Sequence, residues 1–451
     1  MFKTITERIK PIWASQESNN SLRNKLIKGA VGSLGVKIIS SALAFAMSII
    51  FARFLGTSGL GTYSYATSWA TLLGIPAALG LNLLMVREIA VYRNKGQYSL
   101  MKGMLRWSNL IVLFVSIAIA LIAVIVSWNL KQESDMTVIL AVGLAMIAVP
   151  IVSLTSLKLG AMKGLQKVVL GQIPDSVFSP IIIIFLTITA YFLLNDRFNV
   201  FWVLGIKIIA SIIAFAIGTK WLLESLPAEV SQVTPRYESK KWIANALPFM
   251  FLGTSQLLNS RIDILMLGSI EGVKAVGIYT VILGITKMTV FIHQATNNVL
   301  APAIATLYSE GKIKQLESMV RKSMLSVFMV SLVIGGILML LGNQVLSIFG
   351  EEFLPGRTAM NILVVGSIFT SFTGAVGLLL NMTGHQNDTA IAVGSTAILN
   401  VILNALLIPR WGMNGAATAT TISLILINVM KAISVKKKLG ISLYSIGSRK
   451  S

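Results

Sequence analysis

The chain has 451 residues, of which 55% are hydrophobic and only 12% charged, and its mean hydropathy is +0.79. These values lie well outside the range of average soluble domains and predict a multi-spanning membrane protein. In such a protein, what the net charge of +21 indicates depends on which side of the membrane the basic residues lie. The sequence contains no cysteine, which excludes disulfide frameworks, thiolate metal sites and cysteine nucleophiles.

The first 27 residues precede the first long apolar run and mix Phe2, Ile5 and Trp13 with Lys3 and Arg8. This pattern is compatible with an interfacial helix on the anionic inner leaflet, which would make membrane lipid a partner, and equally with a flexible tail. The run that follows is long enough to span a membrane and lacks a small-residue cleavage site. We therefore do not expect a cleaved signal peptide.

Twelve segments after this point are long and apolar enough to span a bilayer. They cover residues 28–55, 63–86, 104–128, 136–157, 168–194, 198–222, 242–268, 275–302, 323–349, 358–382, 389–408 and 413–433. With the N-terminus inside, 28 Lys and Arg residues fall on the cytoplasmic side and five in the outer loops. This asymmetry predicts that both termini are cytoplasmic.

The two halves of the chain carry a weak internal repeat. The segment MLRWSNLIVLFVSI at 104–117 matches MVRKSMLSVFMVSL at 319–332 at seven of fourteen positions, and two shorter matches have nearly the same offset. We predict an all-α membrane protein with two parallel six-helix lobes, an arrangement typical of alternating-access transporters. The predicted parts are a cytoplasmic segment (1–27), an N-lobe (28–223), a cytoplasmic linker (224–241), a C-lobe (242–435) and a basic tail (436–451).

Seven charged residues fall inside the predicted spans away from their cytoplasmic ends, where charge is costly unless it faces protein or water. The basic ones outnumber the acidic ones and predict a cationic cavity for an anionic substrate. The basic residues are Lys37, Arg53, Lys207, Arg261 and Lys287, and the acidic ones are Asp175 and Asp263. Other interpretations remain open: Arg53 could extend to the interface, Arg261 and Asp263 could form ion pairs between helices, and Asp175 could satisfy backbone groups at a proline kink.

Polar side chains follow Lys287 on the same predicted span. His293 and Asn297 share one helix face, as do Gln294 and Asn298. These four could bind sugar hydroxyls or pack against neighbouring helices. No Walker loop, Ser-His-Asp candidate or metal-ligand cluster is visible, so we expect neither an enzyme nor a cofactor or metal.

Three segments resemble a known family: ARFLGTSGLGTYSYATSWATLLGIPAALGLN, SRIDILMLGSIEGVKAVGIYTV and RWGMNGAATATTISLILIN. They are similar to the polysaccharide and O-antigen flippase branch of the multidrug/oligosaccharidyl-lipid/polysaccharide exporter superfamily, with its MATE-like fold. The resemblance implies two six-helix lobes whose helices 1, 2, 7 and 8 line a central cavity. It also implies export of a polyprenyl-pyrophosphate-linked oligosaccharide across the cytoplasmic membrane, alongside other polysaccharide-assembly membrane proteins and without nucleic acid.

On this basis Arg261 is expected to hold the pyrophosphate, while Asp263, on the opposite face of its helix, holds the helix in place or carries the coupling cation. Two other classes remain as alternatives. A multidrug antiporter of the same superfamily would be expected to have acidic residues in its cavity, and a membrane polysaccharide polymerase or ligase would be expected to have a long outer loop.

Overall fold

The computed structural model describes the backbone of residues 2–129 and 135–441, and the side chains from residue 32 onward in these ranges, except those of residues 129, 252, 256, 259, 298 and 299. The N-lobe consists of α1 (Phe2–Ala77), α2 (Leu81–Asn94), α3 (Tyr98–Asn129), α4 (Met136–Met146), α5 (Ala148–Gly164), α6 (Val168–Ile173), α7 (Ser179–Leu194) and α8 (Val200–Ser225). The short helix α9 (Glu229–Gln232) connects it to the C-lobe. The C-lobe consists of α10 (Ser239–Ile270), α11 (Val273–Ser309), α12 (Ile313–Leu340), α13 (Gly342–Ser347), α14 (Arg357–Thr373), α15 (Val376–Met382) and α16 (Gln386–Leu439).

Two of these helices each contain two membrane spans. In α1 the backbone is non-helical at Gly56 (φ 66°), and in α16 it is non-helical at Gly412 (φ 53°). Both angles lie in the left-handed region that glycine adopts without a Cβ clash. Among the described residues, nine helices are long and apolar enough to cross a membrane. The two breaks, together with the more polar α10 of 32 residues, account for the twelve predicted spans.

Two predicted spans are interrupted by residues with positive φ angles, which corrects the sequence-based boundaries. The span predicted at 63–86 is interrupted at Leu79 and Gly80, which have φ angles of 53° and 69°. A Cβ on Gly80 would lie 2.5 Å from the carbonyl oxygen of Ala246 in α10, so the interruption brings the two lobes into close backbone contact. The span predicted at 358–382 is interrupted in the same way at Gly374 (φ 68°), between α14 and α15.

The hydrophobic cores show that the two ends of the molecule differ. At the end that carries Gly56, Glu271 and Gly412, which we call the Gly56 end, one buried cluster includes residues of both lobes, among them Phe51 and Tyr279. At the opposite end, which we call the Trp242 end, one cluster joins the N-lobe to Trp242 and Ala246 of α10, and a separate cluster lies within the C-lobe. The lobes therefore share one core at the Gly56 end, whereas at the Trp242 end only the start of α10 packs into the core of the N-lobe.

The division at the Trp242 end follows the seam between α1 and α11. On α1, Lys37 and Ile38 are exposed there, and Ile38 is 51% exposed. The other seam, between α2 and α10, stays closed at this end, because the indole Nε1 of Trp242 donates a hydrogen bond of 2.9 Å to the hydroxyl of Tyr92. Access between the lobes is consequently lateral, from one side.

Two charged side chains cross between the lobes at the Gly56 end. Arg53 donates from Nε to the carbonyl of Ile348 and from Nη2 to that of Ser347, both at 2.8 Å, at the C-terminus of α13. Glu352 accepts hydrogen bonds from the backbone N–H (3.1 Å) and the hydroxyl (3.3 Å) of Thr57, which begins the second half of α1. The helix dipole favours a cation at a helix C-terminus and an anion at a helix N-terminus, so both contacts are electrostatically favourable. We call these two contacts the latch.

The outer surface of the bundle is apolar, as a lipid-facing surface requires. On α3, Leu110, Phe114 and Ile125 are 57%, 68% and 61% exposed, and α12 carries a similar stripe that includes Leu325 and Val333. A soluble monomer rarely exposes apolar patches of this extent. In such helices the backbone N–H and C=O groups form hydrogen bonds within the helix, which the bilayer core requires because it contains no water.

Candidate functional site

Two of the five cations predicted for the cavity have partners inside the protein. Arg53 is held by the latch carbonyls described above. Lys207, on α8, has its ammonium 5.1 Å from the centre of the Tyr63 ring, a cation–π contact within the N-lobe. The charge of Arg53 is therefore stabilised by contacts that close the lobes, and that of Lys207 by packing within the N-lobe.

The other three cations, Lys37, Arg261 and Lys287, have no such partner. Their charged groups form no hydrogen bond or ion pair with any residue that the structure describes. Lys37 and Lys287 are exposed and Arg261 is half-buried. Positive side chains in membrane helices that are neither paired nor at a helix end are expensive, and they mark binding sites for anions.

These three side chains face the space between the lobes. A Cβ on Gly284 of α11 would lie 4.0 Å from the hydroxyl of Ser48 of α1, which fixes the faces of the two helices that meet. Lys37 precedes Ser48 by eleven residues, close to three turns, and Lys287 follows Gly284 by three, so each lies on its helix's facing side. Lys37 and Lys287 therefore line the seam that opens toward the Trp242 end.

Arg261 faces the N-lobe from α10. It precedes Gly268 by seven residues, two helical turns, and a Cβ on Gly268 would clash with the ring of Tyr65 from α1. Arg261 and Lys287 repel each other electrostatically, and the nearby carboxyl of Asp263 attracts both. An anion bound between the two cations would further reduce their repulsion.

Asp263 points in another direction from its neighbour Arg261. Residues two apart on a helix lie about 200° around the axis, and Asp263 is only 4% exposed, inside the C-lobe. Its Oδ1 accepts a 2.8 Å hydrogen bond from the backbone N–H of Ile264. The Tyr279 ring lies close enough to interact with Asp263 electrostatically, but its hydroxyl reaches no hydrogen-bond geometry within the described residues.

Asp175 forms a partly buried ion pair in the N-lobe. Its Oδ2 is 2.9 Å from the ammonium of Lys158, a side chain that is 3% exposed and also lies 5.5 Å from the centre of the Phe215 ring. Asp175 sits in a π-helical turn, Pro174–Phe178. The sequence analysis assigned Lys158 to a cytoplasmic loop, one residue past a predicted span, but α5 continues through it to Gly164.

The polar residues of α11 divide between two faces. Asn297 and His293 are joined side chain to side chain, Nδ2 to Nε2, at 3.1 Å. Gln294 is exposed and lies seven residues after Lys287, so it shares the face that lines the seam. The side chain of Asn298 lies outside the described residues.

Lys431 is a site candidate that sequence reasoning missed. It was counted among the cytoplasmic basic residues because it lies two residues from the end of its predicted span at 433, but α16 runs on to Leu439. The half-buried Lys431 lies near His293, with which it interacts electrostatically. The nearby Asn428, one turn earlier and 7% exposed, was a usable signal that this turn of the helix faces protein.

Comparison with known proteins identifies the family. The family model described as "Polysaccharide biosynthesis protein" matches residues 26–308, and the MatE model matches residues 248–406. The first of these covers more than half of the chain. This protein belongs to the polysaccharide biosynthesis protein family.

Relatives within and around this family match over most of their length. "Probable low-salt glycan biosynthesis flippase Agl15" of Haloferax volcanii is 23% identical over 90% of this chain and 83% of its own. "Lipid II flippase MurJ" of Bacillus subtilis is 24% identical, covering 93% of this chain and 84% of its own. The family suggested by the sequence motifs is thus confirmed.

The fold is likewise confirmed by a solved structure. An inward-facing multidrug resistance MATE family transporter of the MOP superfamily has a TM-score of 0.74 to this polysaccharide biosynthesis protein at 15% identity, covering 93% of this chain and all of that chain. The likeness establishes the all-α architecture of about twelve membrane helices in two six-helix lobes. At this identity it concerns the fold alone.

Proposed function

We propose that this protein is a flippase that moves a polyprenyl-pyrophosphate-linked oligosaccharide across the membrane by alternating access. The observation that carries the proposal is the set of unpartnered cations, Lys37, Arg261 and Lys287, facing the space between lobes that are divided at one end. Membership of the polysaccharide biosynthesis protein family, and the flippase names of its relatives, support it.

The open seam suits an amphipathic substrate. A pyrophosphate needs charge-assisted donors, which lysine and arginine supply. Its polyprenyl tail needs an apolar surface, and Ile38 beside Lys37 is half exposed. In this arrangement the headgroup enters between α1 and α11 while the tail stays among lipid chains.

The positive-inside asymmetry of 28 to five basic residues supports an orientation with the Trp242 end in the cytoplasm. In that orientation both termini are cytoplasmic, the membrane is the cytoplasmic membrane, and the structure is open to the inside. The lobes then comprise 28–223 and 242–435, with the linker 224–241 and both end segments on the cytoplasmic side.

The other candidate residues take supporting roles in this proposal. Gln294, on the seam-facing side of α11, meets sugar hydroxyls, while His293 and Asn297 lie on another face; Asn298 is included from the sequence only. Asp263 is the buried acid that either carries a coupling cation or stabilises α10. The pairing of Asp175 with Lys158 favours a structural role for Asp175.

Substitution of the three unpartnered cations tests the proposal. A charge-assisted hydrogen bond contributes about 1.5–3 kcal/mol, so Arg261→Gln, on a half-buried residue, should lower affinity for a lipid-linked pyrophosphate glycan roughly 10- to 150-fold. Lys37→Gln and Lys287→Gln should cost about 10-fold or less each, because both side chains are exposed to water. Arg261→Lys should have a partial defect, since it keeps the charge and loses the planar fork.

The matched control is Lys314→Gln, an exposed lysine at the start of α12, which is not one of the three helices that carry these cations. Translocation of a fluorescent lipid-linked glycan in proteoliposomes is measured for each variant at equal amounts of folded protein. Full translocation by all three Gln variants would contradict the cationic site. Drug extrusion without glycan translocation would favour a multidrug antiporter, and glycan elongation or transfer would favour a polymerase or ligase.

A further inference from the structure

The N-lobe contains a cavity that opens on its lipid-facing surface. Its volume is about 300 Å³, at the lower end of the range of about 300–1,000 Å³ that ligand pockets have. It lies between α3 and α8, which each pack against α5 but make little contact with each other within the described residues. One wall is formed by Leu110, which is 57% exposed on the apolar stripe of α3. The cavity is therefore reached from among the lipid chains.

The lining of this cavity is mostly leucine and leaves one polar group without a partner. Lys158 lines it, but its ammonium is paired with Asp175 at 2.9 Å, and the amide of Asn109 donates within its own helix. The hydroxyl of Thr219, on α8, is buried and forms no hydrogen bond with any residue that the structure describes. A buried hydroxyl without an acceptor is costly, so Thr219 indicates a ligand that brings an acceptor into an otherwise apolar space.

Two exposed cations border the cavity on the side of the Trp242 end. Arg106 lies on the lipid-facing stripe of α3, and Lys220 directly follows Thr219 on α8. Because α3 begins and α8 ends at the Trp242 end, the lining segments 105–113 and 215–222 run in opposite directions, and the two cations lie at about the same level. Neither cation forms a hydrogen bond or ion pair with any residue that the structure describes.

The residues beside these cations are typical of a membrane–water interface. Trp107 and Trp221 each follow one of them directly, and tryptophan is enriched at this level of the bilayer. Glu224, one turn after Lys220, is exposed and is not ion-paired with it. Basic residues between membrane helices at the headgroup level are a recurrent way of binding anionic lipid headgroups.

We propose that this cavity binds one anionic phospholipid. The phosphate lies at Arg106 and Lys220, an ester carbonyl accepts from the hydroxyl of Thr219, and an acyl chain fills the leucine-lined space. The order of the three contacts matches the lipid, because ester carbonyls lie just below the phosphate and the chains below them. The site is on α3 and α8, whereas the unpartnered cations between the lobes are on α1, α10 and α11, so it does not depend on the proposed function.

Native mass spectrometry of the full-length protein tests the proposal with phosphatidylglycerol and phosphatidylethanolamine that have identical acyl chains. A cation at the membrane surface raises affinity for an anionic lipid about fivefold, so the wild type should prefer phosphatidylglycerol by about 5- to 30-fold. The double variant Arg106→Gln/Lys220→Gln should bind both lipids alike. The matched control, Arg321→Gln/Lys436→Gln, removes two exposed cations from α12 and α16 and should keep the preference.

Photolabelling locates the chain. Phosphatidylglycerol with a diazirine in one acyl chain should label residues 105–113 and 215–222. Thr219→Val removes the donor with little change in shape and should lower the affinity for phosphatidylglycerol about 2- to 10-fold, as the loss of one hydrogen bond would give.

Equal affinity of the wild type for the two lipids, or the same loss of preference in the control, would overturn the inference. Label spread evenly over the outer helices, or unchanged affinity in Thr219→Val, would do the same. Stronger displacement of the label by a polyprenyl phosphate than by phosphatidylglycerol would assign the cavity to the tail of a polyprenyl substrate and also overturn the inference.

Discussion

The latch between the lobes determines how readily the Gly56 end opens. Replacing Glu352 with Ala removes both hydrogen bonds that its carboxylate accepts from Thr57, at 3.1 and 3.3 Å. These bonds cross from the C-lobe to the N-lobe, so they exist only while the Gly56 end is closed. The substitution should therefore shift the protein toward the state that is open at this end.

The size of the shift follows from the geometry. A hydrogen bond to a charged group contributes about 1.5–3 kcal/mol, but Glu352 is exposed and the second bond is long. We take about 1–2 kcal/mol for the pair, which raises the ratio of open to closed molecules roughly 5- to 30-fold. Glu352→Gln keeps an acceptor without the charge and should give a smaller shift.

Distances between spin labels measure this population directly, because the chain has no native cysteine. Labels at Asp196 and Arg410 report on the Gly56 end, and labels at Gln97 and Gln386 report on the Trp242 end; all four residues are exposed. In Glu352→Ala the first pair should gain a longer distance and the second a shorter one. The matched control is Glu351→Ala, which removes a neighbouring glutamate that has no hydrogen bond to the described residues. Unchanged distributions in Glu352→Ala, or equal changes in both variants, would refute the latch.

Further predictions concern topology and the N-lobe ion pair. A single cysteine at Glu351 should react with an impermeant maleimide from outside the cell, whereas cysteines at Gln97 and Lys240 should not, and the reverse labelling would invert the orientation. Lys158→Met should lower the melting temperature markedly, because it leaves the carboxylate of Asp175 without its partner in a half-buried site. The double variant with Asp175→Asn should recover much of that loss in a thermal unfolding assay, and a double variant no more stable than Lys158→Met would show that the pairing contributes little.

The fold was predictable because its main signals are periodic or compositional. Span-length apolar runs, the weak repeat and the family motifs specify two six-helix lobes without reference to any contact. The interruptions at Leu79 to Gly80 and at Gly374 were not predictable in the same way. Gly80 is required by the carbonyl of Ala246, a residue more than 160 positions away, and hydropathy carries no information about such an approach.

The site residues were predicted less well than the fold, for a related reason. A sequence shows that a lysine lies in a span, but it does not show whether a residue distant in the sequence already pairs with its charge. Arg53 and Lys207 were grouped with Lys37, Arg261 and Lys287 as cavity cations, and only the carbonyls at the end of α13 and the ring of Tyr63 separate the two sets. Lys158 was assigned to a loop and Lys431 to the cytoplasmic end of its span, because helices in this protein extend beyond their apolar cores. The absence of a partner within the protein is therefore a more selective criterion for a candidate anion site than position in a span.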